Sequence, residues 1–200
     1  MAGAVAGCVG GLATPLIAPR FQAAARAWPY ACGGALLGAA LGWRLDWPTL
    51  WPWLVVLVAG LPLCAIDLAV HRLPDVIVLP ATALAALSAW SPRALAGGAV
   101  LATGYAVLAV LPRSGLGFGD VKLAGIIGGV LGYLSWPAVV IGAFAGFLLG
   151  AVVGVVVIAI RHGDRKTAVP FGPFMIVGAQ LGIFFAEPLA QLYLDAMAGR

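Results

Sequence analysis

Eight long apolar runs fill almost all of this 200-residue chain, and short stretches rich in proline, arginine and tryptophan separate them. The runs are approximately Ala2–Ile17, Tyr30–Trp43, Leu50–Val70, Val76–Trp90, Ala94–Leu111, Val121–Leu134, Pro137–Ile160 and Val169–Leu192. A helix needs about 20 apolar residues to cross a bilayer, about 17 at the lower limit, and lipid leaves the backbone no other way to pair. The sequence therefore predicts an all-α polytopic transmembrane bundle of about eight spans, or seven if one of the shorter runs does not cross.

The composition supports one membrane-embedded domain and excludes a soluble one. The chain is 63% hydrophobic and 9% charged, and its mean hydropathy of +1.08 lies outside the range of soluble domains. We therefore expect residues 1–200 to form a single integral membrane domain. The net charge of +4 falls in short loops, so it bears on topology and gives no indication of nucleic-acid binding.

Lysine and arginine residues are divided unequally between the two ends of the expected helices. With the N-terminus outside, one side holds eight of them and the other side three. The larger set is Arg20, Arg26, Arg72, Arg113, Lys122, Arg161, Arg165 and Lys166, and the smaller set is Arg44, Arg93 and Arg200. Because cytoplasmic loops carry the excess of positive charge, the larger set is predicted to be cytoplasmic. The same assignment puts Asp67, Asp75 and Asp120 at the cytoplasmic face.

Two of the seven acidic residues, Asp67 and Asp120, lie at the ends of apolar runs. A carboxylate at the edge of hydrocarbon is costly unless it is paired, hydrated or protonated, so such a residue indicates a functional site. Two carboxylates brought from distant segments to the same depth would form the acid/base pair of a hydrolase. At close range both cannot stay ionised, and the sequence leaves open which one holds the shared proton.

Each of these acidic residues also has a structural interpretation. Asp120 follows a glycine-rich turn and Asp75 follows Pro74, and aspartate at such positions caps a helix N-terminus. Capping is the favoured interpretation of Asp75 and an incomplete one of Asp120. Asp67 precedes His71 at the C-terminal end of its run, where the helix dipole disfavours a negative charge. A structural role does not account for Asp67, which makes it the stronger functional prediction.

The glycines fall into two groups. Gly117 and Gly119 are expected in the loop before Asp120, where they would let the backbone bend sharply and approach a bound peptide. The second group repeats at the spacing of small residues that pack membrane helices closely. It contains Gly125, Gly128, Gly129 and Gly132, followed by Gly142, Gly146, Gly150 and Gly154. The segment Pro170–Phe174 interrupts the last run. Such an interruption indicates either a cavity or a simple kink, and the sequence supports the two equally.

Three motifs stand in a fixed order in the part of the chain after Leu50. They are Ile66-Asp67 with Leu73-Pro74-Asp75, then Gly117-Phe118-Gly119-Asp120-Val121-Lys122-Leu123, then Pro170-Phe171-Gly172-Pro173-Phe174. In order and spacing they resemble the motifs of the type IV prepilin peptidases, the A24-type aspartic leader peptidases of the G-x-G-D membrane protease group. A lone G-x-G-D motif is weak evidence, whereas three ordered motifs are specific. The resemblance covers residues 50–200, the expected peptidase-like region.

The resemblance implies both a reaction and a substrate. By resemblance, Asp67 and Asp120 are the catalytic pair of an aspartic endopeptidase. One carboxylate would deprotonate a water molecule while the other donates a proton to the scissile carbonyl oxygen. The implied substrates are prepilins or pseudopilins, whose short basic leader is cut after a glycine at the cytoplasmic face of the bacterial inner membrane. We predict that a further set supports the site or contacts substrate: Gly117, Gly119, Asp75, Lys122, Pro170 and Gly172.

The chain also differs from the larger type IV prepilin peptidases. Those members carry a cytoplasmic insert with paired C-x-x-C cysteines that bind zinc, whereas the corresponding loop here, Ala18 to about Ala27, contains no cysteine. A Ser-Phe-Leu-Asn-like signature closes their first span, and Leu12–Ile17 matches it poorly. Those members also N-methylate the new N-terminus with S-adenosylmethionine. These departures favour a peptidase without N-methyltransferase activity, and the sequence indicates no metal site and no cofactor.

Other interpretations remain open on the sequence alone. A small transporter could use Asp67 and Asp120 to bind protons or cations, with a broken helix at Pro170–Pro173. A structural subunit would explain the packing glycines and the capping acids, but it leaves Asp67 without a role. Lys122 has three interpretations: a lysine that extends to the membrane surface, which is favoured, a contact with an acidic group of the substrate, or a contact with a lipid phosphate.

Overall fold

The computed structural model describes residues 27–112, 116–161 and 170–199, together with positions 4, 8, 9, 12–14, 16 and 19. Within these residues the chain forms seven α-helices and no strand. The helices are α1 (Ala27–Arg44), α2 (Trp47–Val70), α3 (Asp75–Ser88), α4 (Pro92–Val110), α5 (Phe118–Leu134), α6 (Trp136–Arg161) and α7 (Gly172–Met197). The all-α prediction is confirmed, and seven of the eight apolar runs coincide with a helix. The remaining run, Ala2–Ile17, and the loop after it lie largely outside the described residues.

Local signals in the sequence account for several helix boundaries. The Ser91 hydroxyl accepts a hydrogen bond from the Ala94 N–H at 3.1 Å and so caps α4, and Ser135 has the same role before α6. At the C-terminal end of α2, His71 adopts a left-handed conformation with φ 53°. Its N–H donates to the Asp67 carbonyl oxygen at 3.0 Å. This cap ends α2 within one turn of Asp67.

Among the residues that the structure describes, four helices are long and apolar enough to cross a membrane. They are α2, α4, the Trp136–Val157 part of α6, and α7. The outer surface of the bundle exposes many large apolar side chains, among them Leu87, Val110 and Phe144. A surface of this kind is expected where lipid, not water, surrounds the helices. The protein is therefore a polytopic helical membrane protein, while the count of eight spans stays a prediction.

Helices α4 and α5 pack antiparallel through backbone contacts that only glycine permits. A Cβ added at Gly97 would lie 2.5 Å from the Gly128 carbonyl oxygen, and one added at Gly128 would lie 2.5 Å from that of Gly97. At one end of this pair, the Arg93 Nε donates to the Gly132 carbonyl oxygen at 2.9 Å, and its Nη2 donates to that of Tyr133 at 3.0 Å. Arg93 thus satisfies carbonyls at the C-terminus of α5 that have no partner within the helix.

Helices α6 and α7 form the second close antiparallel pair. A Cβ added at Gly178 would meet the Gly146 backbone nitrogen, and one added at Gly182 would lie 2.9 Å from the Gly142 Cα. The prediction of glycine packing is confirmed at these positions of α6. Gly154 has no described atom within 4 Å of an added Cβ, so close packing at that position stays a prediction.

The tryptophans divide according to their depth in the bundle. The indole of Trp53 is fully buried within α2, so Trp53 is a core residue and does not lie at a helix end with the interfacial aromatics. Five others are exposed at or near helix ends: Trp43, Trp47, Trp51, Trp90 and Trp136. Their position fits the interface between headgroups and hydrocarbon, where tryptophan side chains are enriched.

Three helix ends meet at one end of the bundle and position the site. Helices α2 and α7 run antiparallel, because Asp67 near the end of α2 contacts Gly172 at the start of α7, while Gly60 faces Ile176 one turn further along. The start of α5 joins them, since Gly119 contacts Leu73 in the segment that follows α2. The C-terminus of α2 and the N-termini of α5 and α7 therefore share one end.

Candidate active site

Asp67 lies in the last turn of α2 with its side chain turned into the bundle. It is 5% exposed, and its Oδ2 accepts a hydrogen bond from the Gly172 backbone N–H at 2.9 Å. Gly172 is the first residue of α7, so this N–H is one of the donors that a helix N-terminus leaves without a partner. The unfavourable dipole at the end of α2 is thus offset by the favourable dipole at the start of α7.

The contact requires glycine at position 172. A Cβ added to Gly172 would lie 2.8 Å from the Asp67 Oδ2 and 3.6 Å from the Leu73 Cδ2. Real Cβ atoms do not approach an oxygen this closely, so any side chain would displace either the carboxylate or the start of α7. The motif glycine is therefore explained by the space that the Asp67 carboxylate occupies.

Asp120 lies in the first turn of α5 and is 8% exposed. Its Oδ2 accepts a hydrogen bond from the Gly117 N–H at 2.9 Å, and the Asp120 N–H donates to the Gly117 carbonyl oxygen at 3.0 Å. The helix begins at Phe118, three residues earlier than the apolar run, so Asp120 is the third helical residue and Gly117 is the N-cap. The N-cap interpretation of Asp120 is wrong, and its carboxylate instead forms the side-chain half of a capping box.

Of the two glycines before Asp120, Gly117 lies in the loop as expected and Gly119 lies in the helix. Gly117 has φ −93°, a conformation open to any residue, so no sharp bend of the backbone depends on it. Gly119 belongs to the first turn of α5, and a Cβ there would lie 2.9 Å from the Leu73 Cβ. Expecting Gly119 in a loop was wrong: its small size lets Leu73 pack against the first turn of α5.

The two carboxylates lie at the same end of the bundle, and Leu73 packs beside both. Its Cδ1 lies 3.4 Å from a Cβ built on Gly119, and its Cδ2 lies 3.6 Å from one built on Gly172. Asp67 and Asp120 are the only buried charged side chains among the residues that the structure describes. Each is held by a backbone N–H at a helix N-terminus, so the arrangement can keep two carboxylates in fixed positions in an apolar bundle.

Asp75 and Lys122 lie at the rim of this site. The Lys122 Nζ and the Asp75 Oδ1 are 2.6 Å apart, and the side chains are 40% and 56% exposed. Asp75 is the first residue of α3, Pro74 is the N-cap, and no side-chain capping bond is present. Capping is therefore the wrong explanation of Asp75, although its charge still suits the helix N-terminus. Lys122 ties the first turn of α5 to the start of α3, and its extension to the membrane surface stays a prediction.

An aromatic cluster surrounds the start of α7. The ring centroid of Tyr105 lies 5.0 Å from that of Phe147 and 6.0 Å from that of Phe171, while Phe147 and Phe171 are 5.2 Å apart. Ring pairs at these separations contribute about 0.5–1.5 kcal/mol each beyond their buried area. Phe171 immediately precedes Gly172 in the chain. The cluster therefore positions the backbone N–H that holds Asp67.

Sequence reasoning found the carboxylates but missed part of their surroundings. The motif that contains Leu73 does not predict its packing role, and the sequence analysis assigns no role to Tyr105. A tyrosine in a long apolar run could have signalled the latter, because a buried hydroxyl needs a polar neighbour. Pro170 stands two residues before α7 and is half-buried, and no bond ties it to either carboxylate in the described residues. Within those residues no three His, Cys, Asp or Glu side chains come together as a metal site would require.

The fold and this site define a class: a polytopic helical membrane protein with two buried carboxylates held at helix N-termini. A family model described as the Type IV leader peptidase family matches residues 54–155, which is half of the chain and includes both carboxylates. The chain belongs to the Type IV leader peptidase family.

Similarity to curated proteins agrees with this family assignment. The chain is similar to the Prepilin leader peptidase/N-methyltransferase of Pseudomonas aeruginosa, with 27% identity over 43% of this chain and 29% of the relative. The protein of the same name from Stutzerimonas stutzeri is 28% identical over 68% of this chain and 50% of its own length. That of Burkholderia pseudomallei is 32% identical over 65% of this chain and 45% of its own length. The chain thus spans half or less of these relatives, and no solved structure matches it.

Proposed function

We propose that the protein is an aspartic endopeptidase that removes the short basic leader of type IV prepilin-like or pseudopilin substrates. The observation that carries this proposal is the pair of buried carboxylates, Asp67 and Asp120, each held by a backbone N–H at the same end of the bundle. Family membership and the names of the curated relatives support the choice of substrate.

The proposed reaction is hydrolysis of a peptide bond by an activated water. One carboxylate accepts a proton from the water, whose oxygen attacks the scissile carbonyl carbon, while the other carboxyl donates its proton to the carbonyl oxygen. When the tetrahedral intermediate collapses, the C–N bond breaks and the amine leaves with a proton. Two carboxyls that interact electrostatically hold one shared proton between them, so the roles belong to the pair and not to either residue alone.

We further propose that the site faces the cytoplasm in a bacterial inner membrane. The unequal distribution of Lys and Arg supports this orientation. A site at the end of the bundle has access to water, which a hydrolase consumes. It also lies where a cytoplasmic leader would meet the membrane, with the apolar segment of the substrate held against the outer surface of the helices.

The reaction proposed here is cleavage alone, without N-methylation. The support is the loop from Ala18 to about Ala27, which carries no C-x-x-C pair. The alternative of a proton- or cation-coupled transporter has weaker support, because both carboxylates lie near helix ends and not in the middle of the bundle.

The direct test is an assay with the purified protein in detergent. It is incubated with prepilins and pseudopilins from its own source, and the new N-termini are sequenced. Cleavage directly after a glycine at the end of a basic leader is the expected result. Intact substrates under conditions in which a curated relative cleaves its own prepilin would contradict the proposal.

A further inference from the structure

A polar cavity lies at the end of the bundle opposite the carboxylates. Its volume is about 170 Å³, and it opens between the C-terminal ends of α1 and α5, the start of α6 and the Gly182–Glu187 part of α7. Leu134, Ile183 and Ala186 form an apolar part of its lining, whereas Arg44 and Glu187 contribute opposite charges. None of these residues has a role in the proposed peptide cleavage.

The two charges in the cavity are not paired with each other. Within the described residues the one ion pair is between Lys122 and Asp75, at the other end of the molecule. Glu187 accepts a single long hydrogen bond of 3.4 Å from the Gln191 amide, so most of its acceptor capacity is unused. Arg44 offers five N–H donors. Both residues are exposed at the mouth of the cavity, so a ligand with complementary charges can reach the guanidinium and the carboxylate together.

The depth of the cavity is that of a lipid headgroup. Trp43 precedes Arg44, Trp136 follows the lining residue Ser135, and both indoles are exposed. Exposed tryptophans at helix ends mark the level at which headgroups and hydrocarbon meet. The volume is smaller than the roughly 300–1,000 Å³ of pockets that enclose whole drug-sized ligands, so a headgroup fits better than a complete lipid.

We propose that this cavity binds the headgroup of a phospholipid that carries both a phosphate and a primary ammonium, namely phosphatidylethanolamine. The Arg44 guanidinium matches a phosphate with two parallel hydrogen bonds. The Glu187 carboxylate accepts N–H bonds from the ammonium. Phosphatidylcholine lacks N–H groups on its quaternary nitrogen, and phosphatidylglycerol has no cation, so neither lipid offers Glu187 a charge-assisted N–H hydrogen bond. The acyl chains would extend along the apolar surface beside Leu134 and Ile183.

The test measures lipid binding by native mass spectrometry of the full chain in detergent. Phosphatidylethanolamine, phosphatidylcholine and phosphatidylglycerol with identical acyl chains are titrated in turn. One ethanolamine lipid should bind with a Kd about tenfold or more below those of the other two, as expected for charge-assisted hydrogen bonds. Arg44→Gln and Glu187→Gln should each remove this preference. Arg72→Gln and Asp195→Asn change exposed charges outside the cavity and should leave it intact.

Several results would overturn the proposal. Equal binding of the three lipids, or a preference for phosphatidylglycerol, would contradict it in the wild-type protein, without reliance on any variant. A preference that survives both Arg44→Gln and Glu187→Gln would place the lipid elsewhere. Free phosphoethanolamine that binds as tightly as the lipid would indicate a site for a soluble zwitterion instead. Thermal unfolding of each variant, measured without added lipid, verifies that the helices remain assembled.

Discussion

The Asp67 carboxylate accepts a hydrogen bond from the backbone N–H of Gly172, a residue 105 positions further along the chain. The bond joins the end of α2 to the start of α7 and explains two features together. It gives a buried acid a partner that also carries a favourable helix dipole, and it leaves no space for a side chain at position 172. Asp67 therefore has a structural contact as well as the proposed catalytic role.

The first prediction follows from this close approach. Gly172→Ala would put a methyl group 2.8 Å from the Asp67 Oδ2, so the carboxylate or α7 must shift. A displacement of about 1 Å in a catalytic group can lower activity about a hundredfold, and we expect a loss of that order in the rate of prepilin cleavage. The measurement is the initial cleavage rate of the purified variant.

The matched control for this substitution is Gly154→Ala in α6. No described atom lies within 4 Å of the added methyl group, and alanine favours the helix by about 0.5–1 kcal/mol over glycine. Cleavage at the wild-type rate is expected from this control. Equal activity of Gly172→Ala and Gly154→Ala would show that the contact between Asp67 and Gly172 does not position the carboxylate.

The second prediction concerns the exposed ion pair between Asp75 and Lys122. Because both side chains are exposed by 40% or more, solvent screens the pair, and such pairs contribute at most about 1 kcal/mol. Lys122→Gln should therefore lower the thermal stability in detergent only slightly and keep most of the cleavage activity. A loss of activity comparable to that of Gly172→Ala would indicate that Lys122 contacts the substrate directly.

Much of the fold follows from the sequence because membrane helices are encoded locally. Seven apolar runs matched helices, and the spacing of Gly142 and Gly146 correctly indicated close packing. The errors have two causes. Asp120 is not an N-cap because α5 begins at Phe118, before the run becomes apolar, so the apolar pattern misplaces the helix start. Asp75 pairs with a lysine 47 positions away, and contacts between distant segments carry no local signal.

In the candidate site, too, the sequence identifies the acidic residues but not their contacts with other helices. Asp67 and Asp120 could be selected from the sequence, since buried acids are rare in apolar runs. The partner of Asp67 could not be identified, because Gly172 belongs to a helix that meets α2 only after the bundle assembles. Tyr105 and Leu73 were missed for the same reason: their roles exist only through rings and methyl groups on other helices.

The third prediction concerns membrane orientation. Single cysteines are introduced at Arg72 and at Asp46, in a background in which Cys8, Cys32 and Cys64 are replaced. Both positions are exposed, and they lie at opposite ends of α2. A membrane-impermeant thiol reagent should label position 72 only from the cytoplasmic side and position 46 only from outside. The reverse pattern would turn the carboxylates away from cytoplasmic leaders.

The fourth prediction concerns the product. A pilin matured by this protein alone, with S-adenosylmethionine present, should have an unmodified α-amino group at its new N-terminus, because the loop before α1 lacks the paired cysteines of the larger members. Mass spectrometry of the N-terminal peptide measures this directly. An added methyl group would mean that the short loop is sufficient for both reactions.

The central claim is that Asp67 and Asp120 together activate water, and replacing each with asparagine tests it most directly. Asparagine keeps an oxygen that can accept from the Gly172 or Gly117 N–H, so the fold should persist while acid/base function is lost. Each variant should lose at least about 10²–10⁴-fold in prepilin cleavage rate, whereas Asp75→Asn, the control at the exposed carboxylate, should stay within a few-fold of wild type. Wild-type cleavage by either Asp67→Asn or Asp120→Asn would contradict the account.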